Sequence, residues 1–165
     1  MLHIPTYSIV VFAILIVLGV RRCYARTLRP TRLFVFPLVM AMLGGMNMPK
    51  LFPSATWADA VALLVALAVG ASMGWMHASR WRLRIDAPNG LVRVPGDPAL
   101  LVVLLAAFAV EFLMHYEIES HGAWAHSEAF LLFSFVAWGL LIGMSLGRGC
   151  NVFARYTRAS TLNEA

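Results

Sequence analysis

Charged residues are scarce in this chain of 165 residues. Asp, Glu, Lys and Arg together make up 13% of it, which is about half of their usual share of roughly 25% in soluble domains. Apolar residues make up 61%, and a soluble domain could not cover so many apolar side chains with so few polar ones. The composition therefore excludes an ordinary soluble protein and indicates a single integral membrane domain over residues 1–165.

Cysteine is equally rare, and Cys23 and Cys150 form no CxxC pair. Both follow predicted spans on the side where we place the cytoplasm, and thiols normally stay reduced there. A disulfide-stabilised scaffold is thereby excluded, and a thiol redox function is not expected.

Motifs that carry known chemistry are also missing. The sequence contains no phosphate-binding glycine loop and no HExxH, which are the motifs of nucleotide-binding proteins and zinc proteases. Haem would need two axial ligands at facing depths, and His115 has no histidine partner within the predicted membrane region. These absences favour a protein that is not an enzyme and has no cofactor, with a transition metal ion as the alternative.

Five apolar runs approach the roughly 20 residues that a helix needs to cross about 30 Å of hydrocarbon. No Lys or Arg precedes the first run, unlike in a cleavable signal peptide, so we expect it to remain as a span. The second is short, and Pro37, Gly44 and Gly45 predict a kink, a break or an extension into its flanks. The expected fold is all-α, a bundle of about five transmembrane helices. The runs cover residues 5–20, 33–47, 57–76, 98–118 and 128–146, and a tail follows at 147–165.

Basic residues cluster in the segments that flank these spans. If all five spans cross, twelve of the thirteen basic residues fall on one side and only Lys50 falls on the other. Because basic flanking segments stay in the cytoplasm, we predict a bacterial inner-membrane protein with its N-terminus outside and its C-terminus inside. The clusters also predict contact with anionic lipids on the cytoplasmic side, and not with nucleic acid. They comprise Arg21, Arg22, Arg26, Arg29 and Arg32, then Arg80, Arg82, Arg84 and Arg93, then Arg148, Arg155 and Arg158.

A different pattern separates the third and fourth spans. Residues 80–86 alternate between polar and apolar, residues 88–90 read Pro-Asn-Gly, and residues 91–94 resume an extended pattern. Alternation predicts strands, and the central triplet predicts a turn. We expect a short cytoplasmic β-hairpin, with an interfacial loop as the alternative. The face expected to rest on the bundle or on the lipid interface consists of Trp81, Leu83 and Ile85.

Small residues recur at every fourth position in the third and fifth spans. Such ridges let helix backbones approach closely, which is what associates helices in a bilayer. We expect the ridges to pack within one bundle, with a dimer interface as the alternative. The glycines expected at the helix contact are Gly70, Gly74, Gly139, Gly143 and Gly147, and Ala58, Ala62 and Ala66 extend the first ridge.

Glu111, His115 and Glu119 are spaced by four residues in the fourth span, so they share one face of the predicted helix. Counted from Pro98, Glu111 lies about 20 Å into the membrane. An ionised carboxylate among lipid tails costs several kcal/mol, so it should face the bundle, a water-filled cavity or a charged partner. The row is therefore either a proton or ligand site open to the outside, or a structural hydrogen-bond network.

Histidines on the predicted outer side offer a second interpretation. His115, His121 and His126, with Glu117 and Glu119 nearby, form the densest set of transition-metal ligand types in the chain. Their spacing matches no established zinc motif. Methionines of the second span could add thioether ligands for copper(I), or they could simply fill apolar gaps. These methionines are Met40, Met42, Met46 and Met48.

Several short motifs lie in the second half of the chain. They are Ile85-Asp86 with the following turn, Val94-Pro95-Gly96-Asp97, the fourth span, and Gly143 through Leu146-Gly147-Arg148. With them, residues 80–150 resemble a family of small bacterial inner-membrane proteins described only as a domain of unknown function. The resemblance implies a multi-pass topology and a bacterial origin, but no reaction, substrate or cofactor. It also implies a basic residue where this chain has Glu111, a departure that argues against a family-wide role for that carboxylate.

Together these patterns predict a non-enzymatic integral membrane protein that binds a partner or a small solute. Five spans without an internal repeat argue against a carrier that acts as a single copy. The partner classes left open are a homo-oligomer and a second membrane protein. The alternative function is an outward-facing metal or proton site that serves transport, resistance or sensing.

Overall fold

The computed structural model describes residues 16–17, 19–21, 23–86, 88–119, 124 and 127–164, without the side chains of Leu100, Glu111 and residues 162–164. Most of the predicted first span, residues 5–20, lies outside this part of the chain. The strands are β1 (Arg26–Leu28), β2 (Arg84–Asp86) and β3 (Leu91–Val94). The helices are α1 (Val35–Leu51), which follows a 3-10 turn at Pro30–Leu33, α2 (Trp57–Ser79), α3 (Pro98–Glu119) and α4 (Glu128–Glu164).

Four helical stretches in the described residues are long and apolar enough to cross a membrane. They are Pro30–Leu51, Trp57–Ser79, Leu101–Glu119 and Glu128–Thr161, and they match the second to fifth predicted spans. Large apolar side chains are exposed along them, including Leu64 at 61% and Val102 at 64%. Apolar surface on this scale is unfavourable in water and favourable in hydrocarbon. The mostly helical fold class is confirmed for this part of the chain.

The second predicted span extends into its flanks. The 3-10 turn leads directly into α1, and α1 continues to Leu51. Pro37 lies in the first turn of α1, where a backbone N–H has no intrahelical partner in any case. Gly44 packs against the indole ring of Trp138, whose nearest atom would be 3.4 Å from an added Cβ. Proline and glycine therefore fit this helix without interrupting it.

The most extensive helix contact joins α2 and α4, which run parallel because successive turns of one meet successive turns of the other. A Cβ added to Gly70 would lie 3.0 Å from the Cα of Leu140, and one added to Gly143 would lie 2.9 Å from the backbone nitrogen of Ala71. Only glycine leaves room for such an approach. A Cβ added to Gly74, Gly139 or Gly147 would likewise collide with the opposing helix. Ala58, at the start of the first ridge, is exposed.

The predicted β-hairpin is confirmed. Strands β2 and β3 pair antiparallel, with Ile85 opposite Val92. The turn uses Gly90 at a φ of 65°, which glycine adopts without a steric cost. The Asn89 side-chain amide donates to the Asp86 carboxylate at 2.9 Å, which reinforces the turn.

A third strand was not predicted. Strand β1 pairs antiparallel with the other edge of β3, with Thr27 opposite Arg93, so the strand order is β1-β3-β2. At three residues, β1 is too short to show alternation. The sheet therefore joins the segment that precedes α1 to the segment that connects α2 with α3.

One face of the sheet packs on the second half of α4. Val92, Val94 and Val152 are buried there, and the predicted apolar face of Trp81, Leu83 and Ile85 packs around them. Helix α4 does not end at Leu146 but continues to Glu164, because the sheet gives its second half an apolar partner. Arg155 donates to the carbonyl of Trp81 at 2.9 Å and ties the end of α2 to α4.

The other end of the bundle contains the main apolar core. Three of its aromatic rings cluster where α1 ends and α4 begins, with Phe52 about 6 Å from both Phe130 and Phe135. Helix α2 starts nearby, where the Thr56 backbone N–H and hydroxyl both donate to Asp59 at 2.8 Å. Asp59 therefore caps a helix. The buried members of this core are Met48, Phe52, Met114, Phe130, Phe135, Trp138 and Ile142.

Replacing Gly143 with Ala should lower the free energy of unfolding by about 1–3 kcal/mol, because the added methyl would push the backbones of α2 and α4 apart. Thermal melting in detergent measures the change. Gly45→Ala is the matched control, since no described atom lies within 4 Å of a Cβ at that position, and it should be neutral or stabilising. Equal melting of the two variants would contradict the close packing.

Candidate functional site

Asp97 occupies the junction between β3 and α3. Its Oδ1 accepts the backbone N–H of Ala99 at 3.0 Å, and Pro98 is the first residue of α3, so Asp97 caps the helix. Just before it, Gly96 lies against the backbone of Cys23, where an added Cβ would collide with the carbonyl. Both constraints hold the carboxylate inside the protein, where Asp97 is only 6% exposed.

Arg148 reaches this carboxylate from α4. Its Nη1 donates to Asp97 Oδ2 at 2.7 Å, and Arg148 is 4% exposed. On the other side, Nε2 of His77 in α2 lies 3.3 Å from Asp97 Oδ1. A buried charge must be paired to be tolerated, and here one carboxylate links three helices.

Several polar atoms beside this pair are buried without a partner among the described residues. They are Nε and Nη2 of Arg148, Oγ of Ser145 and Oδ1 of Asn151. Buried polar groups are paired in the great majority of cases, and each unpaired one costs about 1–3 kcal/mol. The three residues are spaced by three along α4, so they share one face of the helix. This face has unused hydrogen-bonding capacity in the interior of the protein.

A cavity of about 40 Å³ adjoins the ion pair. Its lining includes Asp97, Arg148, Ser145 and Trp81, and also Arg26 from β1. Burial lowers the pKa of the Arg26 guanidinium, and the negative charge of Asp97 opposes that shift. Because a guanidinium remains protonated in proteins, two positive charges and one negative charge surround the cavity. One positive charge is left uncompensated by the lining.

The predicted row of Glu111, His115 and Glu119 lies on α3. His115 is partly buried and lines a cavity of about 10 Å³ with Asn47 and Trp138. Glu119 is exposed at the end of the helix. The side chain of Glu111 is outside the described part of the structure, so its orientation stays a prediction.

The predicted metal site cannot be assembled from the described residues alone. His121 and His126 lie outside them, and the described residues contain no group of three or more His, Cys, Asp or Glu side chains that could hold a metal ion. The methionines divide between core and surface, with Met48 buried and Met42 and Met46 exposed. Metal binding through His115, His121 and His126 stays a prediction.

Sequence analysis did not identify the pair of Asp97 and Arg148. Arg148 counts there as one of the basic residues that orient the chain. Two signals point to the pair: an Asp-Pro helix start, and an arginine that directly follows the ridge glycine Gly147. Neither signal shows by itself that the two side chains meet, because 51 residues separate them.

Comparisons of this chain with models of known protein families, with curated proteins and with solved structures find no match. The family resemblance over residues 80–150 therefore stays an expectation. The motifs that carry it include Gly96, Asp97 and Arg148, and the structure gives each of these residues a role in packing or ion pairing.

Replacing Arg148 with Met should lower the free energy of unfolding by about 3–5 kcal/mol, because Asp97 would remain buried without its main cation. Thermal melting in detergent measures this loss. The control Arg158→Met removes an exposed arginine from the same helix and should change stability little. The double variant Asp97→Asn/Arg148→Met should recover part of the loss, and strict additivity of the two single effects would show that the pair is not coupled.

Proposed function

We propose that this protein is a non-enzymatic, multi-pass protein of a bacterial inner membrane that binds a small solute in the cavity beside Asp97 and Arg148. The observation that carries the proposal is the state of Arg148. One N–H donor of its buried guanidinium pairs with Asp97, while Nε and Nη2 have no partner among the described residues. Buried donors left unpaired are costly in a purely structural ion pair, and a small solute that paired with them would remove that cost.

The membrane location is supported by the exposed apolar faces of the helices and by the position of the basic segments. Strand β1 follows the first predicted span, and β2 and β3 follow the third, yet all three form one sheet. Segments paired in one sheet lie on the same side of a bilayer. The pairing therefore agrees with the orientation that the arginines predict, which places this sheet in the cytoplasm.

The outer face of the sheet supports contact with anionic lipids. Arg84 lies directly opposite Arg93, and both line an open cleft of about 250 Å³ with Arg82. Like charges facing each other across two strands destabilise a sheet. Lipid phosphates at the cytoplasmic surface would relieve this repulsion.

A small solute agrees better with the geometry than a protein partner does. The ridge glycines, which were also the candidate dimer interface, are occupied by the contact between α2 and α4 within one chain. The unpaired donors of Arg148 and Ser145 lie in the interior, where a protein surface could not reach them. Binding at this site therefore requires a molecule that enters the cavity.

Reporter fusions should show that the sheet and the α1–α2 loop lie on opposite sides of the membrane. Alkaline phosphatase joined after Ser54 should be active, because this loop is predicted outside. Green fluorescent protein joined after the last residue should fluoresce, because the C-terminus is predicted inside. Each reporter placed at the other site is the matched control, and the reversed pattern would contradict the orientation.

Solute binding should be visible as a rise in melting temperature of the purified protein in detergent. We expect at least one of three kinds of small solute, namely anions, cations and neutral amides, to raise it by about 3–6 °C at ten times its Kd. Ser145→Val, which replaces the hydroxyl and reduces the cavity, should abolish the rise. If no kind of solute stabilises the natural chain, the proposed function is wrong.

A further inference from the structure

We infer that the open cleft of the sheet binds a terminal phosphate, namely the phosphomonoester headgroup of an anionic lipid. Three arginines line this cleft, together with Ala25 and Pro95. The inference rests on the proposed function, since it takes the membrane location and the lipid contact from there and adds the chemistry of the headgroup. It does not depend on solute binding beside Arg148. The arginines of the cleft are Arg82, Arg84 and Arg93.

The sheet directs these arginines to one surface. Successive side chains of a strand point to opposite faces, and Val92 and Val94 occupy the face that packs on α4. Arg93 lies between them in β3, so it points away from α4, as does Arg84 directly opposite it in β2. Arg82 precedes Arg84 by two residues and lines the same cleft. All three arginines are exposed, so a ligand can reach them.

No negative charge compensates this cluster within the part of the chain that the structure describes. The cleft lining contains no acidic residue, and none of the three arginines pairs with a described carboxylate. Asp86, two residues after Arg84, accepts a hydrogen bond from Asn89 in the hairpin turn. Because guanidinium groups remain protonated in proteins, three positive charges face the open cleft.

The direct opposition of Arg84 and Arg93 distinguishes this cluster from a simple topology signal. Basic residues anywhere in a cytoplasmic segment would orient the chain. Two of them facing each other across neighbouring strands add nothing to that orientation, and they destabilise the sheet. An anion bound between them would replace this repulsion with attraction. The arrangement therefore favours a ligand with more than a diffuse negative charge.

A terminal phosphate matches three guanidinium groups better than a phosphodiester does. It carries a charge of about −1.5 to −2 near pH 7 and has three strongly accepting oxygens. A phosphodiester has one of these oxygens esterified, so it has fewer acceptors and less charge. Guanidinium groups present parallel N–H donors that bind phosphate oxygens in pairs. Three of them around one cleft therefore select the headgroup with the most free oxygens.

The position of the cleft favours a lipid as the source of the phosphate. Helix α2 ends at Ser79, three residues before Arg82, and α3 begins at Pro98, five residues after Arg93. A chain advances at most about 3.3–3.6 Å per residue, so these arginines lie within about 10–18 Å of the ends of two helices that are proposed to span the membrane. The headgroup layer adds about 5–8 Å on each side of the hydrocarbon. The cleft is therefore in or next to that layer.

The test titrates three probes into the full chain, purified in detergent and kept at neutral pH and constant ionic strength. They are phosphatidic acid, phosphatidylglycerol with the same acyl chains, and free glycerol 3-phosphate. The rise in melting temperature reports binding. Phosphatidic acid should bind at least tenfold more tightly than phosphatidylglycerol, the effect of one further hydrogen bond to a charged group. Glycerol 3-phosphate should bind at least tenfold more weakly than phosphatidic acid, because it lacks the acyl chains that hold the headgroup at the cleft.

Variants then locate the binding. Arg93→Gln removes the guanidinium on the central strand and should weaken phosphatidic acid binding at least tenfold. Without lipid, the same variant should melt at the same or a higher temperature than the natural chain, because Arg84 no longer faces a like charge. A folding defect would therefore not explain the lost binding. If Arg93→Gln fails to fold, Arg84→Gln on the edge strand β2 gives the same test. The control Arg158→Gln removes an exposed arginine of α4 that does not line the cleft, and should leave the affinity unchanged.

Three results would overturn the inference while solute binding stands. If phosphatidylglycerol binds as tightly as phosphatidic acid, the cleft responds to charge alone and the terminal phosphate is wrong. If glycerol 3-phosphate binds as tightly as phosphatidic acid, the lipid source is wrong. If Arg158→Gln weakens binding as much as Arg93→Gln does, the contact is spread over the surface and the cleft is not a site. Solute binding is measured separately, through Ser145→Val. Reporter fusions that place the sheet outside would overturn the proposed orientation and this inference together.

Discussion

The pairing of Asp97 with Arg148 joins three helices of the chain at one buried point. Asp97 starts α3 and ends the connection from β3, Arg148 lies in the middle of α4, and His77 near the end of α2 contacts the same carboxylate. Moving any of these elements would separate buried charges, which is far more costly than sliding one apolar surface along another. The pair therefore fixes the start of α3 against α2 and α4, which the glycines already hold together.

The glycine contact of α2 with α4 makes this pairing geometrically available. Because Gly74 and Gly147 bring the two backbones together, His77, one turn after Gly74, and Arg148, directly after Gly147, both reach Asp97. The glycine ridge brings α2 and α4 close together, and the ion pair fixes how the helices are placed relative to one another. Close backbone packing thus joins the two helices along one stretch, and the buried polar cluster joins them at its end.

Length and composition of the apolar runs predicted four of the described helices, and alternation predicted the hairpin. Each of these signals is local, since it is contained within about 20 consecutive residues. Strand β1 escaped prediction because its three residues form a strand only when β3 is beside them. The extension of α4 beyond Leu146 depends on the sheet in the same way. The cavity was not predicted, because unpaired donors are a property of the assembled structure and no sequence pattern indicates them.

The order of the strands also affects the order of events during synthesis. Strand β1 pairs with β3 and not with β2, so the segment that follows the first predicted span has no partner until residues 91–94 have been made. Until then Arg26 cannot lie beside Asp97, and the backbone of Cys23 cannot pack against Gly96. The sheet thus closes late, over a long loop of chain, and α4 must then arrive before the carboxylate of Asp97 receives its cation.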